Sequence, residues 1–154
     1  MEIRPASPQD RPRLDRLLRR VSTFTPQEVA CALELIDAAL AGSPDYLVRV
    51  AAEGDEVLGY ICYGPTPMTE GTWDLYWIAS DPAARGKGVG GGLIRSMEAD
   101  LKGRAGRLVR VETSATEEYG PTRGFYEAMR YAEEARFRDF YKVGDDLVIL
   151  SKKI

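Results

Sequence analysis

Apolar residues along the chain recur at two spacings, alternate positions and helical intervals, and the switches between them lay out a succession of strands and helices. Glu2–Ala6 reads as a short strand. Ser7-Pro8-Gln9-Asp10 then supplies an N-cap residue, a proline at the first helical position and a capping-box acid. Leu14, Leu17, Leu18 and Val21 follow at helical spacing, which predicts a helix to about Val21. The signature repeats at Thr25-Pro26-Gln27-Glu28, with Val29, Leu33, Ile36 and Leu40 on one stripe and Gly42 as the stop. Tyr46–Ala52 and Glu56–Tyr63 are β-rich runs around the hairpin pair Gly54-Asp55. Trp73–Ser80 is apolar on both faces, as a central strand is, and Asp81-Pro82 ends it. Val89, Leu93, Ile94, Met97 and Leu101 mark a helix that packs on the sheet. Leu108–Ser114 is another strand, Phe125, Ala128 and Met129 sit on a short helix, and two strands flank the turn Val143-Gly144-Asp145. The order predicts an α/β domain with one βαβ crossover at its centre.

Composition narrows what such a domain does. A chain of 154 residues fits one domain, 1–154, and buries a core without disulfides. No run approaches the roughly 18 apolar residues of a membrane helix, and the opening MEIRPAS has no apolar signal core, so a cytoplasmic location is expected. Cys31 and Cys62 have no paired spacing that would suggest a disulfide framework. The net charge of -3 argues against nucleic acid as the partner, and the arginines at 11, 13, 16, 19 and 20 read as a solvated helix face. The chain has no histidine, which removes Ser-His-Asp and Cys-His systems and the usual zinc sites, so no metal is expected. Acid–base work falls to Asp, Glu, Lys, Cys or Tyr.

The segment Arg85–Gly92, RGKGVGGG, joins a predicted strand to a predicted helix. Free amides and the positive end of the helix dipole converge there and favour an anion. A merely flexible turn would not need five glycines at a helix start, since each disfavours helix by about 1 kcal/mol. Gly86, Gly88 and Gly91 satisfy G-x-G-x-x-G, with Glu112 on the next strand, but a dinucleotide fold needs further parallel strands and this chain predicts one crossover. The Walker pattern fails because Gly88, not Ser or Thr, follows Lys87.

Arg85, Gly88 and Gly90 also satisfy Arg-x-x-Gly-x-Gly, and here the chain resembles the GNAT superfamily of acyl-CoA-dependent N-acetyltransferases. The resemblance runs from Ile3-Arg4-Pro5-Ala6 to the tail. Three blocks carry it: Leu75–Ser80 with Asp81-Pro82, the glycine loop with its helix, and Gly124-Phe125-Tyr126-Glu127-Ala128-Met129-Arg130-Tyr131. It implies a mixed, mostly antiparallel sheet of about seven strands flanked by about four helices. It further implies that the loop amides of Arg85, Gly86, Lys87, Gly88, Gly90 and Gly91 hold the pyrophosphate of acetyl-CoA. The pantetheine arm would pair with the backbone around Ile78 and Ser80, where an amide polarises the thioester carbonyl.

The implied reaction is direct attack of an amine on acetyl-CoA, and the amine must first lose a proton. Asp74, Glu70 and Glu112 are the candidate bases, with Asp74 placed where some relatives carry a catalytic carboxylate. Its alternative is a capping or ion-pairing acid, and Glu112 also reads as an ion-pair partner of Arg110. Tyr126 matches the family's general acid, a phenol that protonates the departing thiolate; its alternative is a core aromatic beside Phe125. The chain departs from the family at Tyr119, where many members have Asn, which leaves Thr122 or Arg123 to contact the cofactor. Phe24, Trp73, Tyr76 and Tyr141 are candidates to wall an acceptor pocket, and Asp145 or Asp146 to attract an ammonium group. The expected acceptor is a small amine or amino acid, with a protein N-terminus or lysine as second choice. A non-catalytic acyl-CoA-binding module is the rival reading. Edge strands in the tail are compatible with a homodimer.

Overall fold

The computed structural model describes residues 1–154. Its elements follow the predicted order: β1 Glu2–Pro5, α1 Arg11–Arg20, α2 Pro26–Leu40, β2 Leu47–Glu53, β3 Glu56–Pro65, β4 Thr72–Ser80, α3 Val89–Gly103, β5 Leu108–Ser114, α4 Gly120–Ala128, β6 Ala132–Lys142 and β7 Asp145–Lys153. The strands form one seven-stranded sheet in the order β1-β2-β3-β4-β5-β7-β6. Only β4 and β5 run parallel, joined by the α3 crossover, and every other neighbour is antiparallel.

Two apolar layers cover the sheet because successive strand residues point to opposite faces. Ile61, Tyr63, Leu75, Val109 and Val111 pack under Leu93, Ile94, Met97 and Leu101 of α3. On the other face Val50, Tyr60 and Cys62 pack under Leu14, Leu17 and Leu18 of α1 and Val29, Leu33 and Ile36 of α2. Burial of each such side chain contributes about 1.5–3 kcal/mol before the entropy of ordering it is subtracted. Between the layers β3 is buried continuously from Val57 to Gly64. Cys31 is exposed and Cys62 buried, both as free thiols.

The helix starts differ in an instructive way. At α2 the predicted box forms, with Thr25 Oγ1 accepting from the Glu28 amide and the Glu28 carboxylate from the Thr25 amide, each at 3.1 Å. At α1 the helix begins later than its signature suggests, after a 3-10 turn over Pro8–Asp10. Asp10 is the reason. It accepts the Ser7 amide at 2.8 Å and the Arg4 guanidinium at 2.7 and 2.9 Å, which pins the turn to β1. The Arg4 hydrogen bond holds the Asp10 carboxyl below the usual range against the opposing effect of burial. The basic run on α1 is partly ion-paired, through Arg11 to Asp37, Arg19 to Asp15 and Arg20 to Asp81.

Two irregularities open the sheet. β4 and β5 pair only from Thr72–Leu75 against Leu108–Val111 and then diverge. Cys62 faces Trp77 while Tyr63 faces Leu75, so Tyr76 is the extra residue of a bulge, which adds local bend and twist. The outer strand β6 is exposed along its whole length. Its pairing with β7 breaks between Phe137 and Lys142, where Asp139 takes φ 54°.

Candidate active site

The divergence of β4 from β5 leaves a cleft of about 1380 Å³ that runs from the start of α3 to the β6–β7 turn. At one end the loop before α3 supplies donors. The Lys87 amide donates to Ala84 O at 3.3 Å and the Gly92 amide to Gly88 O at 3.0 Å, while those of Arg85, Gly86, Gly88, Val89, Gly90 and Gly91 have no acceptor in the protein. Unsatisfied amides at a helix start form an anion cradle. Gly86 and Gly88 take φ 82° and 73°, a region that costs other residues about 1–2 kcal/mol. Gly90 and Gly92 serve close packing. A Cβ on Gly90 would come 3.0 Å from the Phe125 ring, and one on Gly92 would come 2.9 Å from Ile3. The loop therefore fits a bulky anion.

Arg85, Gly86, Gly88, Gly90 and Gly91 all border this cleft, as do Ile78 and Ser80 on the free edge of β4. Lys87 does not; it faces a smaller neighbouring hollow with Arg13, Arg16, Arg20 and Asp81. Arg123 is also turned away, since its guanidinium donates to the carbonyls of Ser114 and Thr116 at 2.7 Å each. Those two bonds tie α4 to the end of β5, and Thr122 stands at the cleft wall instead.

Tyr126 on α4 lines the cleft, 3% exposed, with the rings of Phe125 and Tyr131 at 5.4 and 5.8 Å. Burial raises its hydroxyl pKa, so the phenol stays protonated through the neutral range. Tyr126 packs as a core aromatic and also lines the cleft.

Asp74 is buried and fully engaged. Oδ1 accepts from Arg110 Nε at 2.7 Å and Oδ2 from Thr66 Oγ1 at 2.8 Å. The ion-pair expectation for Arg110 is thus met by a different acid: the register sets Asp74 opposite Arg110 on the parallel neighbour, and Glu112 is left exposed in the cleft. Glu70 lies outside the cleft, with its carbonyl accepting from Arg107 Nε at 2.8 Å.

The end of the cleft away from the loop is walled by aromatics, with one correction to the sequence reading. Phe24, Tyr76 and Tyr141 are present, but Trp77 replaces Trp73 and meets Phe24 edge-on at 5.3 Å. Strict alternation puts both tryptophans on one face; the Tyr76 bulge flips the phase, sending Trp73 under α3 and Trp77 toward α2. Asp145 borders the cleft and accepts from Ser114 Oγ at 2.6 Å, whereas Asp146 is occupied by the Asp139 amide at 2.9 Å. Glu28 and Glu118 border this end too. The local sequence marks neither as a cleft residue, Glu28 reading only as a capping-box acid, because their elements meet only in the fold.

Comparison with known proteins agrees with this architecture. The model of the acetyltransferase (GNAT) family matches residues 13–131. A GNAT-family protein from Desulfovibrio desulfuricans is 40% identical, over 99% of this chain and 98% of that one, with a TM-score of 0.95. The same fold, at 18% identity and a TM-score of 0.80, occurs in the ribosomal-protein-S18-alanine N-acetyltransferase of Escherichia coli, over 99% of this chain and 93% of that one. It occurs equally, at 18% identity and a TM-score of 0.80, in an aminoglycoside 6'-N-acetyltransferase complexed with coenzyme A, over 99% and 97%. No curated protein sequence matches the chain. The chain belongs to the acetyltransferase (GNAT) family, and acyl transfer is its class of activity.

Proposed function

We propose that this chain, as one N-acetyltransferase domain over residues 1–154, moves an acetyl group from acetyl-CoA to a primary amine of a small molecule or amino acid by direct attack. The observation that carries the reading is the row of unbonded loop amides opening onto the same cleft as the buried phenol of Tyr126. Acetyl-CoA, when bound, supplies an activated thioester. The loop amides with Arg85 hold the pyrophosphate, and the free edge of β4 at Ile78 and Ser80 offers backbone pairing to the pantetheine arm.

In the net exchange a C–N bond forms at the acetyl carbon as the C–S bond breaks. The reacting ammonium gives up two protons, one ending on the thiol and one in solvent. Glu112, a cleft carboxylate without an ion-pair partner, receives a proton from the ammonium through water. Asp74 is a weaker choice because Arg110 and Thr66 occupy both its oxygens; we assign it the positioning of Arg110. Tyr126 holds the proton for the sulfur. Burial raises its pKa and keeps it in the donor form.

Thiol release from acetyl-CoA, followed across a library of amines, amino acids and lysine peptides, tests this. Turnover of small amines is the expected result; acetyl-CoA binding without transfer to any of them would contradict it. We place the protein in the cytoplasm, and assign β6, with Phe137 62% and Phe140 48% exposed, as the edge of a homodimer. Light scattering on the purified chain would read the dimer directly, and a monomer at micromolar concentration would refute it.

A further inference from the structure

The core face of α3 carries one carboxylate among its apolar side chains. Glu98 is 9% exposed and shares a helix face with Ile94 and Leu101. A buried carboxylate is costly unless it is paired and hydrogen-bonded. Glu98 is both. Lys152 Nζ on β7 donates to Oε1 at 2.8 Å and to Oε2 at 3.0 Å, and the hydroxyl of Tyr131, just after α4, donates to Oε1 at 3.1 Å. Lys152 Nζ also lies 5.5 Å from the centre of the Tyr131 ring. Burial raises the pKa of the Tyr131 hydroxyl, and the charge and hydrogen bond of Glu98 raise it further, so it stays a donor. A phenylalanine would fill the same apolar position; only the hydroxyl needs Glu98.

Tyr131 is tied to Tyr126 twice. Its amide donates to the Tyr126 carbonyl at 2.9 Å, and its ring meets the Tyr126 ring edge-on at 5.8 Å. That amide bond, with the one from the Arg130 amide to Glu127 O at 2.9 Å, closes α4 in a Schellman turn whose left-handed position falls on Arg130, at φ 70°. Such a conformation suits glycine, and a residue with a Cβ keeps it only where the surroundings impose it. The Arg130 side chain is exposed. The restraint therefore lies on the next residue, where Glu98 and Lys152 fasten Tyr131 to α3 and β7. Stability alone is a weak reason to bury such a pair, since apolar side chains of similar volume often serve as well or better.

We propose that Glu98, Lys152 and Tyr131 are positioning residues for the reaction: they clamp the end of α4 to α3 and β7 across the left-handed turn and thereby fix the Tyr126 ring at the cleft. The inference rests on the proton-donor role of Tyr126 given above and adds the residues through which that role is set. A misplacement of about 1 Å is enough to impair a reacting group even when the cofactor cradle is untouched. None of the three lines the cleft, so each acts through Tyr126 and not on the substrate.

The test is a double-mutant cycle, read by kcat in thiol release from acetyl-CoA. Tyr131→Phe keeps the ring, and kcat is expected to fall about fivefold or more while the KM for acetyl-CoA holds within about twofold. In Tyr126→Phe the same substitution is expected to change kcat by less than about twofold, because the phenol it positions is gone. Arg130→Gly, which relaxes the turn, is expected to return most of the kcat lost in Tyr131→Phe. A merely structural role would lower the melting temperature and leave kcat alone. Unchanged kcat in Tyr131→Phe, an equal loss with and without the Tyr126 hydroxyl, or no recovery with Arg130→Gly would overturn the inference and leave the transferase reading standing. Should no amine be acetylated, the transferase reading fails; should Tyr126→Phe turn over like the wild type, the proton-donor role fails. Hydrogen exchange of the residue 131 amide then decides the clamp alone: about tenfold faster exchange in Tyr131→Phe supports it, and unchanged protection overturns it.

Discussion

The two ends of the cleft are built from different materials. At the α3 end the contacts are backbone amides on one continuous loop, and side chains matter mainly where glycine is required. At the other end the contacts are side chains delivered by α2, β4, β5, the turn before α4 and the β6–β7 turn. A backbone cradle recognises a group that does not vary, whereas a wall of scattered side chains can be rewritten one residue at a time without disturbing the cradle. Perturbations at the two ends are therefore expected to separate.

The largest effect is expected at Tyr126, between the ends. Tyr126→Phe keeps the ring packed and removes only the hydroxyl, so kcat falls by about 10²-fold or more. Acetyl-CoA affinity, read by calorimetry, stays within about twofold of the wild type. Wild-type turnover in this variant would remove the phenol from the chemistry.

Next comes the loop. Gly88→Val forces a β-branched residue into φ 73° at the start of α3, at a cost of about 1–2 kcal/mol, and weakens acetyl-CoA binding about 5–30-fold. The order of preference among amines is expected to persist. A reordered amine panel would show that the ends are coupled.

Asp74→Asn acts at the acceptor end. It leaves Arg110 without its carboxylate and lowers stability by about 1 kcal/mol, the modest figure reflecting a pair whose arginine is 41% exposed. The KM for the amine rises a few fold while that for acetyl-CoA does not, a split that steady-state kinetics would resolve. A loss of kcat as large as that of Tyr126→Phe would instead make Asp74 the base.

The smallest perturbation is chemical. Cys31 is exposed and borders the acceptor end, while Cys62 is fully buried with its thiol pushed up to about 12 by burial. At pH 8 the Cys62 thiolate fraction is on the order of 10⁻⁴, so iodoacetamide should modify Cys31 far faster, by about 10²-fold or more. Peptide mapping of the alkylated chain checks this, and prior modification of Cys62 would contradict the buried placement.

The same contrast explains what the sequence revealed. The loop was legible because its requirement is local: glycines at 86 and 88 answer to backbone angles, and neighbours in sequence remain neighbours in the cradle. The element order was legible from period and caps, with the start of α1 displaced by the contact of Asp10 with Arg4 across the first turn. The acceptor wall was not legible to the same degree. Alternation placed Trp73 in the pocket, and a single bulge at Tyr76 exchanged it for Trp77. Arg110 was paired with Glu112 by proximity along β5, whereas parallel register brings it Asp74 from β4. Arg123 read as a cofactor contact, and in the fold one of its nitrogens, Nη1, donates to two backbone carbonyls. Glu28 and Glu118 had no signal as cleft residues, since only tertiary contact brings them together.

The central claim is that one cleft joins an acetyl-CoA cradle to an amine site and passes the acetyl group directly between them. Mass spectrometry of a single turnover with carbon-labelled acetyl-CoA and a turned-over amine tests it most directly. The account predicts the label on the amine nitrogen, one free thiol for each acetylated amine, and a protein of unchanged mass. Label retained on the protein, at Cys31 or elsewhere, or thiol release without an acetylated amine, would contradict it.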